Sequence, residues 1–181
     1  VENVLASLAA GLACGASPDS MRRTIADFRG VEHRIEYAGE RAGVSFYNDS
    51  KATSVDATMK ALEALSEGDG KIVLILGGRG KNAPYAPLVP LIRSSVRTLV
   101  LIGEDAGNIE SQLSGVAPII RAANMREAVE AGYAAAQPGD SVLLAPACAS
   151  FDMFKSFEER GTVFKAEVTR LVQARAGAEN A

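Results

Sequence analysis

Apolar positions along this chain recur first at helical spacing and later in short runs. Residues 3–13 are rich in Ala and Leu and read as a helix stopped at Gly15. Ser17-Pro18-Asp19 supplies an N-cap followed by Pro at the first helical position, so a second helix is predicted to reach Phe28 and close at Gly30. The pattern changes at His33. Residues 34–38 and 43–47 alternate or run apolar around Gly39-Glu40-Arg41-Ala42-Gly43, which predicts a β-hairpin. A strand–helix rhythm follows. Apolar runs at 71–76, 98–102 and 141–145, with a weaker one at 119–120, alternate with helical stretches at 55–65, 88–94, 109–113 and 125–136. In the first of these helices Val55, Met59, Leu62 and Leu65 share a face. A last helical region covers 156–174, with Gly161 as a point of interruption.

Apolar strands alternating with helices imply an α/β fold: a Rossmann-like, mostly parallel sheet with helices on both faces, entered through a β-hairpin and a short all-α lead-in. Ligands of such sheets sit at the carboxyl ends of the strands. Three loops become candidates on that ground: 48–54, 77–83 and 146–152.

Composition narrows the class. The chain has 181 residues, 48% of them hydrophobic, enough for a core of one moderate domain. A net charge of -3 argues against a general nucleic-acid binder. No apolar stretch is long enough for a membrane span, and no signal peptide is visible. Cys14 and Cys148 are far apart and read as reduced thiols of a cytosolic protein. His33 is the only histidine, which removes most histidine-based metal sites and triads, and no metal site is expected in this chain. The chain begins at Val1 inside an apparent helix, so a fragment of a longer protein is expected.

The loop 48–54 places Asp49, Ser50, Lys51 and Thr53 just before a helix. A carboxylate can bind Mg²⁺ or a ribose hydroxyl, a lysine can hold phosphate or carboxylate, and Thr53 or Ser54 can cap the helix. A capped helix start with solvated charges accounts for the same residues equally well.

The loop 77–83, Gly77-Gly78-Arg79-Gly80-Lys81-Asn82, is no nucleotide P-loop. Ile75 stands at the first Gly position and Asn82 follows Lys81. It matches a dinucleotide fingerprint better, as Gly78-x-Gly80-x-x-Ala83 with Glu104 downstream, but Pro84 and Pro87 keep a helix from starting at the loop. What remains is a glycine loop presenting Arg79 and Lys81 to a small anion. In the loop 146–152, Pro146-Ala147-Cys148-Ala149-Ser150-Phe151-Asp152, small residues allow close backbone approach and Ser150 can donate to a carboxylate. Cys148 reads as a small buried residue rather than a nucleophile. Phe151, Phe154 and Phe157 read as core or pocket wall.

Together, His33-Arg34, Asn48-Asp49-Ser50-Lys51-Ala52-Thr53, Gly77-Gly78 with Lys81, and Pro146-Ala147-Cys148-Ala149-Ser150 with Phe157 resemble the C-terminal domain of the D-glutamate-adding branch of the Mur ligase family. The resemblance implies that residues 1–31 are the tail of a central ATPase domain and 32–181 the C-terminal domain. It implies a peptidoglycan ligase using ATP and Mg²⁺, bound mainly by upstream domains, to form an acyl phosphate that D-glutamate attacks. The acceptor, UDP-N-acetylmuramoyl-L-alanine, would be held by those upstream domains, in a cytoplasmic and monomeric parent enzyme. Thr53, Lys81, Ser150, Phe151 and Phe157 would then contact D-glutamate. Asn3, Arg34, Asp49 and Lys51 would line the ATP side, with Asp49 and Lys51 in catalytic roles. Arg79 departs from the acidic residue common there, and Ser54 from a common Asn. Two other classes compete: a nicotinamide dinucleotide-binding domain of an oxidoreductase, resting on Gly78, Gly80 and Glu104, and a non-catalytic α/β interaction module.

Overall fold

The computed structural model describes residues 2–28, 30–68 and 70–174. Residues 1, 29, 69 and 175–181, included in the two expected segments, lie outside the described residues. The chain divides into two compact units, Val1–Val31 and Glu32–Ala181.

The first unit holds two helices, α1 (Glu2–Ala13) and α2 (Pro18–Asp27). Ser17 caps α2 by accepting the Ser20 N–H at 3.2 Å, with Pro18 at its start. Two helices offer little interior, and Val4, Leu5, Leu12, Ile25 and Phe28 stay exposed.

The second unit is a six-stranded sheet in the order β1-β2-β6-β3-β4-β5. Its strands are β1 (Glu36–Arg41), β2 (Val44–Asn48), β3 (Ile72–Gly77), β4 (Val96–Ile102), β5 (Ile119–Arg121) and β6 (Ser141–Leu144). Only β1 runs antiparallel, paired with β2. The hairpin is tighter than the residue pattern implied. β1 continues through Gly39 to Arg41 with an irregularity at Tyr37/Gly39, and only Ala42-Gly43 turn, both at positive φ (48° and 78°). Positive φ at both central residues matches the twist of paired strands, so a two-residue turn suffices.

The strands alternate their side chains between two cores. Ile72, Leu74 and Leu76 of β3 join one cluster with Leu62 of α3 (Val55–Leu65), Ile92 of α4 (Val89–Ser95) and Ile109 of α5 (Ala106–Leu113). Val73 and Ile75 join the other with Val129 of α6 (Met125–Ala135) and Phe164, Val168 and Leu171 of α7 (Phe157–Gln173). The result is α3, α4 and α5 on one face of the sheet and α6 and α7 on the other. On α3 the buried face is Val55, Thr58, Ala61 and Leu62, while Met59 and Leu65 are only partly covered. A face chosen by apolarity alone passed over Thr58, whose hydroxyl donates to Ala145 O at 3.1 Å.

Asn124 and Ser156 cap α6 and α7 by accepting the N–H of Glu127 and Glu159. α7 runs unbroken through Gly161, contrary to the expected interruption. Gly161 is instead a point of contact: a Cβ there would overlap the His33 ring.

Asp140 ties the amino ends of the parallel strands together. It is buried and accepts the N–H groups of Lys71 and Gln137, both at 2.8 Å, and Arg97 Nε at 2.5 Å. Burial alone would raise its pKa, but the Arg97 hydrogen bond and the two N–H donors bring it below the ordinary 3.8. Asp140→Ala should therefore cost about 3 kcal/mol by urea denaturation at neutral pH, because it strands a guanidinium and two backbone donors. A depressed carboxyl pKa contributes stability above the unfolded value, so the gap between variant and wild type should begin to close only as pH falls through and below 3.8.

Candidate functional site

The three candidate loops leave β2, β3 and β6, which are neighbours in the sheet, so their carboxyl ends adjoin. Hydrogen bonds then tie the loops to one another. Ala147 N–H donates to Ala52 O at 2.9 Å, and Gly77 N–H to Pro146 O at 2.9 Å. Arg79 and Ala149 exchange N–H···O bonds in both directions, at 2.9 and 3.0 Å. Lys81 Nζ donates to Thr53 Oγ1 at 3.2 Å.

The strongest link is a buried cation that sequence reading missed. Arg160 of α7 is 1% exposed. Its Nε donates to Ser50 Oγ at 2.9 Å, its Nη2 to Ser50 O at 2.9 Å and its Nη1 to Cys148 O at 3.1 Å. Ser50 Oγ in turn donates to Phe157 O at 2.7 Å. Burial lowers the Arg160 pKa to about 10, while Asp152 nearby favours the charged form. The signal was present: Arg160 is in helical phase with Phe164, Val168 and Leu171, and an arginine on a buried stripe must find acceptors.

Asn48, first residue of the sequence run, is structural. It is buried; Oδ1 accepts the Ser50 N–H at 3.2 Å, and Nδ2 donates to Glu36 Oε2 and His33 Nδ1, both at 3.0 Å. With Nδ1 accepting, the His33 ring carries its proton on Nε2, toward Glu32 at 3.7 Å. Glu32, His33 and Glu36 bring three ligand-type atoms within 4.8 Å of one another. Lys165 already spans both carboxylates at 2.7 and 3.0 Å, which balances their charge.

Asp49, Lys51 and Arg34 line a pocket of about 290 Å³ with Ile35, Ala52, Ala57, Lys60 and Ala61. Asp49 is buried, and burial pushes its pKa up to about 6 against the opposing pull of the Ile35 N–H and the Arg34 charge. Lys51 is exposed, with its ammonium 5.5 Å from the centre of the Phe157 ring. Phe157 also meets His33 edge-on at 6.2 Å.

Ser54, not Thr53, caps α3, accepting the Ala57 N–H at 3.4 Å. Thr53 is thereby left to face Lys81. Ser150 is buried, and among the described residues its hydroxyl has no hydrogen-bond partner. Phe151 is 64% exposed and belongs to neither core, unlike Phe154, which packs on the α6/α7 side. Asn3 is exposed on α1 of the separate first unit. Arg79 adds no free positive charge near Lys81, because Glu104 holds it at 3.1 Å. That pairing also removes the dinucleotide reading: Glu104 is engaged by Arg79, and after the glycine loop the chain passes through Pro84 to a short 3₁₀ turn, Ala86–Leu88. Both cysteines are free thiols, Cys14 exposed and Cys148 buried.

Arg160→Met should lower stability by about 3 kcal/mol or more, since Ser50 O and Cys148 O lose their donors inside the protein. Arg160→Lys should recover little of it, because one ammonium cannot fork to three separated acceptors. Chemical denaturation midpoints of the two variants check both statements, and near-wild-type stability of Arg160→Lys would contradict the second.

Comparison with known proteins agrees with this architecture. Residues 33–148 match the family described as Mur ligase, glutamate ligase domain. The UDP-N-acetylmuramoylalanine--D-glutamate ligase of Acidobacterium capsulatum is 51% identical over 165 residues, covering 91% of this chain and 35% of the relative. The protein of the same name from Koribacter versatilis is 46% identical over 173 residues, covering 96% of this chain and 37% of the relative. The chain thus spans little more than a third of these relatives. Among solved structures, the MurF ligase from Thermotoga maritima in complex with ADP superposes with a TM-score of 0.69 at 19% identity, covering 93% of this chain and 38% of that one. FolC from E. coli in complex with ADP gives a TM-score of 0.63 at 20% identity, covering 97% and 40%. A family match that spans most of the chain, on a sheet whose carboxyl-end loops carry the site, has one reading: this chain belongs to the Mur ligase family, in its glutamate ligase domain.

Proposed function

We propose that this chain is the C-terminal, amino-acid-binding domain of a cytoplasmic ATP-dependent ligase that joins D-glutamate to UDP-N-acetylmuramoyl-L-alanine in peptidoglycan synthesis. The observation that carries the reading is the Lys81–Thr53 pair, on two loops hydrogen-bonded to the loop that carries the Ser150 hydroxyl. Relatives bearing that activity's name, at close to half identity, support it.

D-Glutamate carries two carboxylates. Lys81 and Thr53 together offer a cation and a hydroxyl to one of them. Ser150 offers a hydroxyl donor to the other, and Phe157 forms a wall. Phe151, exposed in this chain, is available to cover the bound amino acid when domains close.

Arg34, Asp49 and Lys51 serve the nucleotide side. The residues present fit a metal-bound polyphosphate. Three cations and one carboxylate line a single pocket, and burial raises the Asp49 pKa, so a bound cation would favour its ionised form. When bound, ATP with Mg²⁺ supplies the phosphoryl group that activates the acceptor carboxylate toward the D-glutamate amine. Asp49 would hold the cation, Arg34 and Lys51 the phosphates, and the ring of Phe157 would restrain Lys51 between the two substrates. Residues 1–31 are then the last two helices of the preceding ATPase domain. That domain and one further upstream would hold the phosphate loop and the UDP-linked acceptor.

The 181-residue chain alone should show no ligation and at most weak D-glutamate binding. In the full-length enzyme, Lys81→Ala should raise the KM for D-glutamate about ten-fold or more, the worth of a charge-assisted hydrogen bond. Tight binding to the isolated chain that Lys81→Ala leaves untouched would overturn the assignment.

Asp49 gives a prediction with a defined sign. Its carboxyl has a folded pKa of about 6 against an unfolded 3.8, so ionisation penalises the folded state increasingly as pH rises between those values. Asp49→Asn should match wild-type stability near pH 3.5 or below and exceed it by about 2 kcal/mol at pH 7 in the ligand-free chain. The same variant should lose most ligase activity in the full-length enzyme. Equal melting temperatures for the two proteins at pH 7 would contradict the first part.

A further inference from the structure

We propose that the Tyr85 hydroxyl, held between Asp105 and Cys148, is the positioning element that fixes the reach of Lys81 toward the amino-acid substrate. This rests on the reading of Lys81 as the cation that receives a substrate carboxylate.

Lys81 is exposed on the outer part of the glycine loop and reaches the 48–54 loop through its contact with Thr53, so something must restrain the loop from behind. On the amino side the Arg79–Ala149 pair does so. On the carboxyl side the restraint is Tyr85, four residues after Lys81 and 2% exposed. Its N–H donates to Gln112 Oε1 at 2.8 Å, and its hydroxyl donates to Asp105 Oδ2 at 2.6 Å. The same hydroxyl oxygen lies 3.0 Å from Cys148 Sγ.

Proton arithmetic gives this chain a direction. The single Tyr85 proton goes to Asp105, which only accepts when ionised, so the Cys148 thiol must donate to the phenol oxygen. Burial keeps both groups neutral at physiological pH, raising the Cys148 pKa to about 11 and that of Tyr85 well above its ordinary value. The S–H···O–H···carboxylate series is therefore complete at neutral pH.

Its far end grips the glycine loop. Asp105 N–H donates to Gly78 O at 2.9 Å. The Asp105 carboxylate packs against Gly80 so closely that a Cβ there would overlap it. The near end belongs to the 146–152 loop, whose Cys148 carbonyl is held by Arg160 at 3.1 Å. Tyr85 thus couples the loop carrying Lys81 to the loop carrying Ser150. It fixes the relative placement of the two groups that would grasp the two ends of a dicarboxylate.

Tyr85→Phe keeps the buried ring and removes only the hydroxyl, which isolates positioning from packing. In the full-length enzyme it should raise the KM for D-glutamate about five-fold, the worth of one hydrogen bond, and leave kcat and the KM for ATP within about two-fold. In the 181-residue chain, backbone amides of residues 79–83 should exchange with deuterium faster than in wild type, with little change in melting temperature. Combined with Lys81→Ala, the substitution should add nothing further to the D-glutamate KM, because it acts through Lys81. If Lys81→Ala raises that KM and Tyr85→Phe does not, the positioning role is wrong while the reading of Lys81 stands. A fully additive double variant, or a Tyr85→Phe that lowers kcat and leaves KM alone, overturns it as well. If Lys81→Ala itself leaves KM unchanged, both fail together.

Discussion

The Arg160 guanidinium is enclosed between α7 and the sheet, and it sets a demand the loops must meet. A charged group removed from water needs acceptors, and leaving any of its donors unpaired costs as much as several ordinary contacts contribute. Those acceptors are Ser50 Oγ, Ser50 O and Cys148 O, which belong to two loops far apart in sequence. Satisfying one arginine therefore places both loops. The Ser50 hydroxyl passes the constraint on to the first turn of α7 through Phe157 O. Phe157 in turn borders Lys51 and His33. The geometry of the candidate site is largely a consequence of this one buried cation.

The two ends of the sheet show opposite electrostatic economies. At the amino ends, Asp140 is saturated with donors and its proton affinity is lowered. At the carboxyl ends, burial of Asp49 outweighs the Ile35 N–H and the Arg34 charge, and its proton affinity is raised. Asp152 Oδ1 is buried there without a hydrogen-bond partner among the described residues. Polar groups left short of partners are costly in a folded chain, and they gather where a ligand can supply what is missing. The same contrast separates the role of stability from that of binding within a single sheet.

The order of strands and helices, the cap at Ser17 and the position of the three loops were all legible along the chain. Each depends on relations within one or two turns or on period-two alternation, which short-range geometry enforces. The readings that failed have a common origin. Gly161 looked like a helix break because its reason, the His33 ring, comes from 128 residues earlier in the chain. The hairpin loop looked longer than it is because a strand can carry an irregularity that periodicity does not reveal.

The sequence by itself determined an α/β layer architecture, the loops that carry chemistry and the residue types available in them. Only the tertiary structure decided which of Thr53 and Ser54 caps α3, that Asn48 is structural, that Glu104 neutralises Arg79, and that Arg160 and Tyr85 organise the loops. The reason is range. Propensity and capping act over three or four residues, whereas Arg160 and Ser50 meet across 110 residues and Tyr85 and Cys148 across 63. Such partners are chosen by how the layers pack, because a buried polar group takes whichever acceptor the folded chain brings within reach.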